Sequence, residues 1–319
     1  MITFTLTEQL NDSQKPSHYR VAGIDVVTDV EIAHLGYFSH DMTAVPNANL
    51  PVDVDLVNFS KIYDASGQFS SGERHVCCLS NNDIIVLQVD GLKDFILSSD
   101  GVIHSSIAPS IDTALLQEVL VGPPLILQMA RQGVYCLHAS AARVERKICV
   151  FLGDSGQGKS TLAQHSSDGW ERLSDDVLPV SISDNNVAFI KPHFPQLKLS
   201  SEEQYPIAAP ECVQLDYLIL LNPKKNPDDS HVCQLRELNQ SDAVLSIVRH
   251  TVASKLFPSR LLKQHLLFAS HLCTNIPILK FTYPMKWGGL AETCAFLQDN
   301  LRLSCNETNT SISSVLLRR

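Results

Sequence analysis

Hydrophobic and polar positions give the chain two different textures. Up to about residue 110 the apolar residues come in short runs: Tyr19–Val27, Arg74–Leu79, Asp83–Val89 and Asp94–Leu97. Polar clusters at Ser80–Asp83, Asp90-Gly91 and Ser98–Gly101 separate them. Short apolar segments bounded by Asn, Asp, Gly and Ser predict strands. Asp41–Ser71, with Pro46, Pro51 and Gly67, reads as loop with at most one strand. From Ile111 the spacing becomes helical, with Leu115, Leu116, Val119 and Leu120, then Gly122-Pro123-Pro124, then Leu125, Ile126 and Met129. That pattern predicts two helices joined at the prolines.

Strands are predicted next at Val134–Ala139 and Lys147–Leu152, and along Gly169–Ile182 with Asp175-Asp176 in its middle. Further strands are expected at Val187–Ile190, Leu215–Leu221 and Ile278–Tyr283, and loops at Lys191–Leu199 and Asn222–Ser230. Helices are predicted over Ser241–His250, capped by Ser241 or Asn239, and over Pro258–Cys273 and Gly289–Leu301. The polar tail Ser304–Arg319 reads as disordered. The expectation is an α/β protein: a β-rich domain over 1–110, then an α/β domain over 111–303.

Composition narrows the classes. With 44% hydrophobic and 18% charged residues the chain can build an ordinary core. A net charge of −9 speaks against a broad nucleic-acid footprint. Met1–Glu8 lacks a basic segment followed by an apolar one, so no signal peptide is expected. Apolar runs such as Tyr217–Leu221 and Val119–Met129 are too short or too broken by proline to span a bilayer. The nine cysteines lack C-x-x-C spacing, and Cys77 and Cys78 are adjacent, which points to reduced thiols in a cytoplasm. The histidines form no H-E-x-x-H pattern, so no structural zinc is expected. The β-rich part carries no catalytic constellation and reads as a cap, or as an edge on which a peptide could dock.

The chemistry centres on Gly153-Asp154-Ser155-Gly156-Gln157-Gly158-Lys159-Ser160-Thr161, which fits G-x-x-x-x-G-K-[ST] at every fixed position. An apolar strand precedes it, and a helix over Ser160–Ser167 is predicted after it. Such a loop curls its backbone N–H groups toward an anion, and the helix start adds partial positive charge. Lys159 reaches the β- and γ-phosphates and the Ser160 hydroxyl suits Mg²⁺, so a nucleoside triphosphate is the expected ligand. The acid is less obvious. Tyr217–Asn222 is the best apolar strand but ends in Asn, with Asp216 at its wrong end. Asp175-Asp176 is the better candidate. On a regular strand neighbouring carboxylates point to opposite faces. A bulge or turn would bring both inward, one to hold Mg²⁺ and the other to take the proton of an attacking hydroxyl.

Three motifs in order, His138-Ala139-Ser140, the loop Gly153–Ser160, and Gly169-Trp170-Glu171-Arg172-Leu173-Ser174-Asp175-Asp176-Val177, resemble the HPr serine kinase/phosphorylase family. The chain looks closest to its divergent branch, some members of which are associated with modification of ribosomally made peptides. The resemblance runs over about residues 120–290 and is strong from His138 to Val180. It implies a nucleotide-binding core like that of phosphoenolpyruvate carboxykinase, with a mixed sheet, and ATP and Mg²⁺ as cofactors. It also implies roles: Lys159 and the loop for phosphates, Ser160 for Mg²⁺, Asp175 as general base. Asp176 would partner Mg²⁺ or His138, and His138 would position or tune the pair. The Pro-Val-Arg-Pro-Gly-Arg stretch and the amino-terminal domain of true HPr kinases have no counterpart here, so neither HPr as substrate nor phosphorolysis is implied.

Lys198 could meet a phosphate or an acidic substrate, and Arg249 could stabilise transferred charge; for each, a solvated surface position is an equal reading. The function expected is an ATP- and Mg²⁺-dependent kinase acting on a hydroxyl, foremost a serine of a peptide or protein. Two alternatives stand beside it: a kinase of a small hydroxylated metabolite, and a nucleotide-binding switch without an acceptor. No nucleic-acid or membrane partner is expected, and the resemblance hints at a homo-oligomer.

Overall fold

The computed structural model describes residues 1–6, 16–29, 31–39, 56–81, 83–105, 113–165, 169–195, 210–224, 233–285 and 289–306. These divide into two compact units. One lies within Met1–Tyr135 and Ala253–His265, the other within Cys136–Gln196, Pro206–Val252 and Leu266–Arg319. Both units are built on mixed sheets.

In the first unit, β1 (Ile2–Thr5), β2 (Ser17–Val21), β3 (Ile24–Thr28), β4 (Ser60–Phe69), β5 (Gly72–Ser80), β6 (Ile85–Val89), β7 (Phe95–Leu97) and β8 (Val102–His104) form one sheet. Its order is β2-β3-β1-β8-β7-β6-β5-β4. β1 runs parallel to β3 and β8, and the other pairings are antiparallel. The run Tyr19–Val27 is not one strand, because Ala22 and Gly23 take φ of 51° and 72° and turn it into the β2–β3 hairpin. β4 occupies the end of Asp41–Ser71; its side chains are mostly exposed, so no apolar alternation announces it. Residues 40–55 of that stretch lie outside the described residues.

The two helices α1 (Thr113–Val121) and α2 (Pro123–Arg131) meet at Gly122, as the prolines predict. The expected boundary near residue 110 differs from the division into units, for a physical reason. Gln128 donates to the carbonyls of Ser98 and Val102 at 2.8 and 3.1 Å, and Arg131 donates to those of Leu97 and Ser98 at 3.2 and 2.6 Å. These bonds satisfy strand-end carbonyls, and so α2 belongs with β7 and β8.

In the second unit, β9 (Tyr135–Val144), β10 (Lys147–Leu152), α3 (Lys159–Ala163), β11 (Trp170–Ser174), β12 (Val177–Ile182), β13 (Ala188–Ile190), β14 (Val213–Gln214), β15 (Tyr217–Lys224) and β16 (Gln234–Glu237) come first. Then follow α4 (Gln240–His250), α5 (Ser259–Asn275, in this unit from Leu266), β17 (Ile278–Pro284) and α6 (Leu290–Asn306). The strand order is β14-β13-β12-β9-β10-β15-β17-β16, with β11 also paired to β9. β10, β15 and β17 are parallel, while β9 is antiparallel to β10. Ile148–Leu152 is buried throughout, as a strand deep in a sheet should be.

The core of this unit gathers Phe151, Leu162, Trp170, Ile219, Phe281 and Leu297. Phe151 stacks on Trp170 at 6.3 Å between ring centroids. Phe151→Ala should destabilise the unit by about 3–5 kcal/mol, and it would do so one residue from the end of the strand that carries the loop.

Three expectations need correction here. α3 covers Lys159–Ala163 rather than Ser160–Ser167, with 166–168 outside the described residues. The strand expected over Gly169–Ile182 is broken at Asp175-Asp176 into β11 and β12. α6 continues to Asn306, past the expected start of the tail; residues 307–319 lie outside the described residues. Asn239, not Ser241, caps α4, its side chain accepting from the Asp242 N–H. Among the described residues no helix is long and apolar enough to cross a membrane.

Candidate active site

β10 delivers the chain to Gly153, and the loop then turns twice through left-handed glycines, Gly156 at φ 77° and Gly158 at φ 87°. Gly158 is needed twice over. Its φ suits glycine, and a Cβ there would lie 3.0 Å from the Tyr283 hydroxyl. The Tyr283 Oη donates to the Gln157 carbonyl at 2.5 Å, tying the loop to β17. Inside the loop the Gln157 side chain accepts from the Asp154 N–H at 2.8 Å. Lys159 is buried, its Nζ donating to the Gly153 and Asp154 carbonyls at 2.8 and 3.3 Å. Thr161 follows on α3. That helix is short, so anion attraction here rests on the loop N–H groups and Lys159 more than on a helix dipole.

The break between β11 and β12 sets the carboxylates. Asp176 sits at φ 69°, a conformation Asp tolerates better than most residues. The left-handed turn lifts both Asp side chains out of strand alternation. Asp175 is buried and its Oδ1 accepts from Ser160 Oγ at 2.9 Å, from the Asp176 N–H at 2.9 Å and from Ser140 Oγ at 2.5 Å. Asp176 has its Oδ1 3.6 Å from His138 Nε2. The Asp176 carbonyl also accepts from the Ala139 N–H at 3.2 Å, locking the turn against β9. The sequence reading made Asp175 the base and left Asp176 to Mg²⁺ or His138. In the geometry, Asp175 is the carboxylate beside Ser160 and Asp176 the one beside His138.

Arg249 lies at the end of α4, its Nη2 on both carboxylate oxygens of Asp154 at 3.0 and 2.8 Å. Next to it, His250 is buried, and its pKa is pushed down to about 4, mainly by burial. Asp154 opposes that shift, whereas Arg249, Lys159 and His138 add to it, so His250 senses the whole constellation. Asn222 at the end of the apolar strand donates to Thr282 Oγ1 at 3.0 Å. Asp216 holds Lys147 Nζ and the Ile148 N–H at 3.0 and 2.8 Å, at the opposite end of β10 from the loop. Lys198 lies outside the described residues.

Sequence reasoning passed over Ser140, His250 and Tyr283. Ala243, Ile247 and His250 form one buried stripe of α4 at helical spacing, and that stripe was the available signal for His250. Leu279, Phe281 and Tyr283 alternate into the core of β17. Ser140 gave none beyond its place in the quoted motif.

Ser160 and Asp175 together offer a hydroxyl and a carboxylate, the hard oxygen donors that Mg²⁺ takes. The donor chemistry fits that ion. Among the described residues no group of three His, Cys, Asp or Glu side chains forms a metal cluster.

No family model matches the sequence. No curated protein matches it either. Among solved structures the chain is similar to the HPr(Ser) kinase/phosphatase from Coxiella burnetii, at 14% identity and a TM-score of 0.32. The match covers 54% of this chain and 94% of that one. The relationship is a distant structural one.

Proposed function

We propose that this protein is an ATP- and Mg²⁺-dependent kinase that moves the γ-phosphoryl group to a hydroxyl, foremost a serine of a peptide or protein. One observation carries the reading: Ser160 of the phosphate loop is hydrogen-bonded to buried Asp175, and the next residue, Asp176, faces His138. A phosphate-binding loop alone names a ligand. A loop hydroxyl coupled to one carboxylate, beside a second carboxylate with its own histidine, matches the two tasks of phosphoryl transfer.

Lys159 would leave its carbonyl partners for the β- and γ-phosphates, and the loop N–H groups would hold the bridging oxygens. Ser160 and Asp175 would hold Mg²⁺, which when bound neutralises charge on the phosphates. Asp176 would take the acceptor's proton as the new O–P bond forms. The bond from the γ-phosphorus to the β–γ bridging oxygen breaks in the same displacement, and ADP leaves. His138 would orient Asp176. The peptide acceptor rests on the resemblance of the His138–Val180 run.

The test is transfer from γ-labelled ATP with Mg²⁺ into a serine-containing peptide library and, in parallel, a metabolite pool. Label in peptide that disappears in Lys159→Ala is the expected result. Label confined to small molecules would overturn the peptide acceptor. ATP bound with no acceptor labelled would overturn the kinase reading.

A further inference from the structure

Beside the loop, within the second unit, lies a cavity of about 320 Å³, the size of a small-molecule site. Its walls are Gly158, Thr161 and Leu162 from the loop and α3, Tyr283 and Met285 from β17 and just beyond, and Leu290 and Thr293 from α6, among others. None of Lys159, Ser160, Asp175, Asp176 and His138 is among its lining residues. The cavity is therefore separate from the groups proposed for the γ-phosphoryl. Thr161 and Gly158 belong both to the loop and to the cavity, so an occupant would sit in reach of a loop-bound phosphate.

The polar atoms around this cavity are mostly committed elsewhere. The Gln157 side chain accepts from the Asp154 N–H, and the Tyr283 hydroxyl donates to the Gln157 carbonyl. The Thr293 hydroxyl donates to the Gly289 carbonyl at 2.7 Å. Among the described residues no Asp, Glu, Lys, Arg or His lines it. What remains is a slot walled by a tyrosine ring, leucines, a proline and a methionine, which suits a flat uncharged ring held by stacking and exclusion of water.

Resting on the reading above, we infer that this cavity takes the purine base of the nucleotide and reads its shape but not its edge. Adenine and guanine differ in the donors and acceptors along that edge. Strong discrimination requires buried polar groups that would be left unpaired by the wrong base. The Gln157 side-chain oxygen and the Tyr283 and Thr293 hydroxyls are already paired within the protein, so ATP and GTP are both substrates of this site. Tyr283 joins the two halves of the site: its ring walls the slot and its hydroxyl holds the loop, so a seated base steadies the phosphate cradle.

Titration calorimetry on the full chain with Mg²⁺ tests this, using ATP, GTP and inorganic tripolyphosphate as probes. ATP and GTP should bind within about threefold of each other, and tripolyphosphate at least about tenfold more weakly, since only stacking and burial separate them. Leu290→Trp, and separately Met285→Trp at the half-exposed mouth, should bring ATP down to tripolyphosphate while tripolyphosphate stays where it was. Tripolyphosphate binding thus reports that each variant is folded. ATP preferred over GTP by more than about a hundredfold would mean the edge is read and would overturn the inference. ATP no tighter than tripolyphosphate, or unaffected by both tryptophans, would put the base elsewhere and overturn it as well. If neither nucleotide nor tripolyphosphate binds, the phosphate-loop reading itself has failed.

Discussion

One carboxylate site lies within the phosphate loop and another beside it, and they are built in opposite ways. Asp154 and Arg249 meet in the open, their side chains 49% and 69% exposed. Asp175 is 5% exposed and takes three hydrogen bonds on one oxygen. A solvent-exposed ion pair is worth about 0–1 kcal/mol and is screened by salt. A buried carboxylate that loses its partners, or partners that lose it, changes stability by about 1–3 kcal/mol per unsatisfied group. Charge alone therefore does not rank the residues of this site; burial and hydrogen-bond count do. The chemistry is expected to follow the buried site.

The largest expected effect is at Asp175. Asp175→Ala should lower phosphoryl transfer by about 10³-fold, on the scale of losing a preorganised electrostatic group. It should also lower the denaturation midpoint, since the Ser140 and Ser160 hydroxyls lose their acceptor; chemical denaturation checks this. His138→Ala is expected to be milder, about tenfold in transfer with nucleotide affinity retained, because it acts through Asp176. Tyr283→Phe leaves the Gln157 carbonyl without its donor. It should weaken ATP binding by about fivefold, the equivalent of one hydrogen bond of about 1 kcal/mol. Arg249→Ala is the smallest: less than about fivefold at low salt and nothing measurable near 0.5 M salt. An Arg249 effect as large as that of Asp175 would break the comparison.

Protonation sharpens it further. His250 has a folded-state pKa of about 4 against an ordinary value of 6.5, chiefly through burial. Between these values the unfolded chain binds a proton that the folded one does not, so this contribution to stability is whole above pH 6.5. It is lost as pH falls toward 4. His250→Gln should flatten that part of the stability-against-pH curve. Removing the exposed Asp154–Arg249 pair should change it far less than removing His250, because burial is the main cause and the two charges act on His250 with opposite signs.

Most of this site was legible where chemistry demands fixed spacing. The loop from Gly153 to Thr161 is readable because each glycine, the lysine and the serine has one job at one offset. The central parallel strands were readable because their apolar runs are unbroken. The parts that escaped depend on single backbone angles or on side chains reaching across the sheet. Nothing in the apolar run Tyr19–Val27 marks Ala22-Gly23 as a hairpin turn strongly enough to interrupt it. The left-handed Asp176, one residue long, decides which carboxylate meets Ser160, and a period of two cannot foresee it. The first compact unit runs past the boundary expected near residue 110 because Gln128 and Arg131 bind strand carbonyls about thirty residues earlier in the chain.

The most direct measurement sets Asp175→Asn beside Asp176→Asn, recording Mg²⁺-dependent ATP affinity by calorimetry and single-turnover transfer of labelled phosphate on the same samples. The account expects Asp175→Asn to lose both the Mg²⁺ dependence of binding and the transfer. It expects Asp176→Asn to bind MgATP like the unaltered protein yet transfer about 10²-fold more slowly. The reverse pattern, with metal-dependent binding lost in Asp176→Asn and kept in Asp175→Asn, would contradict it.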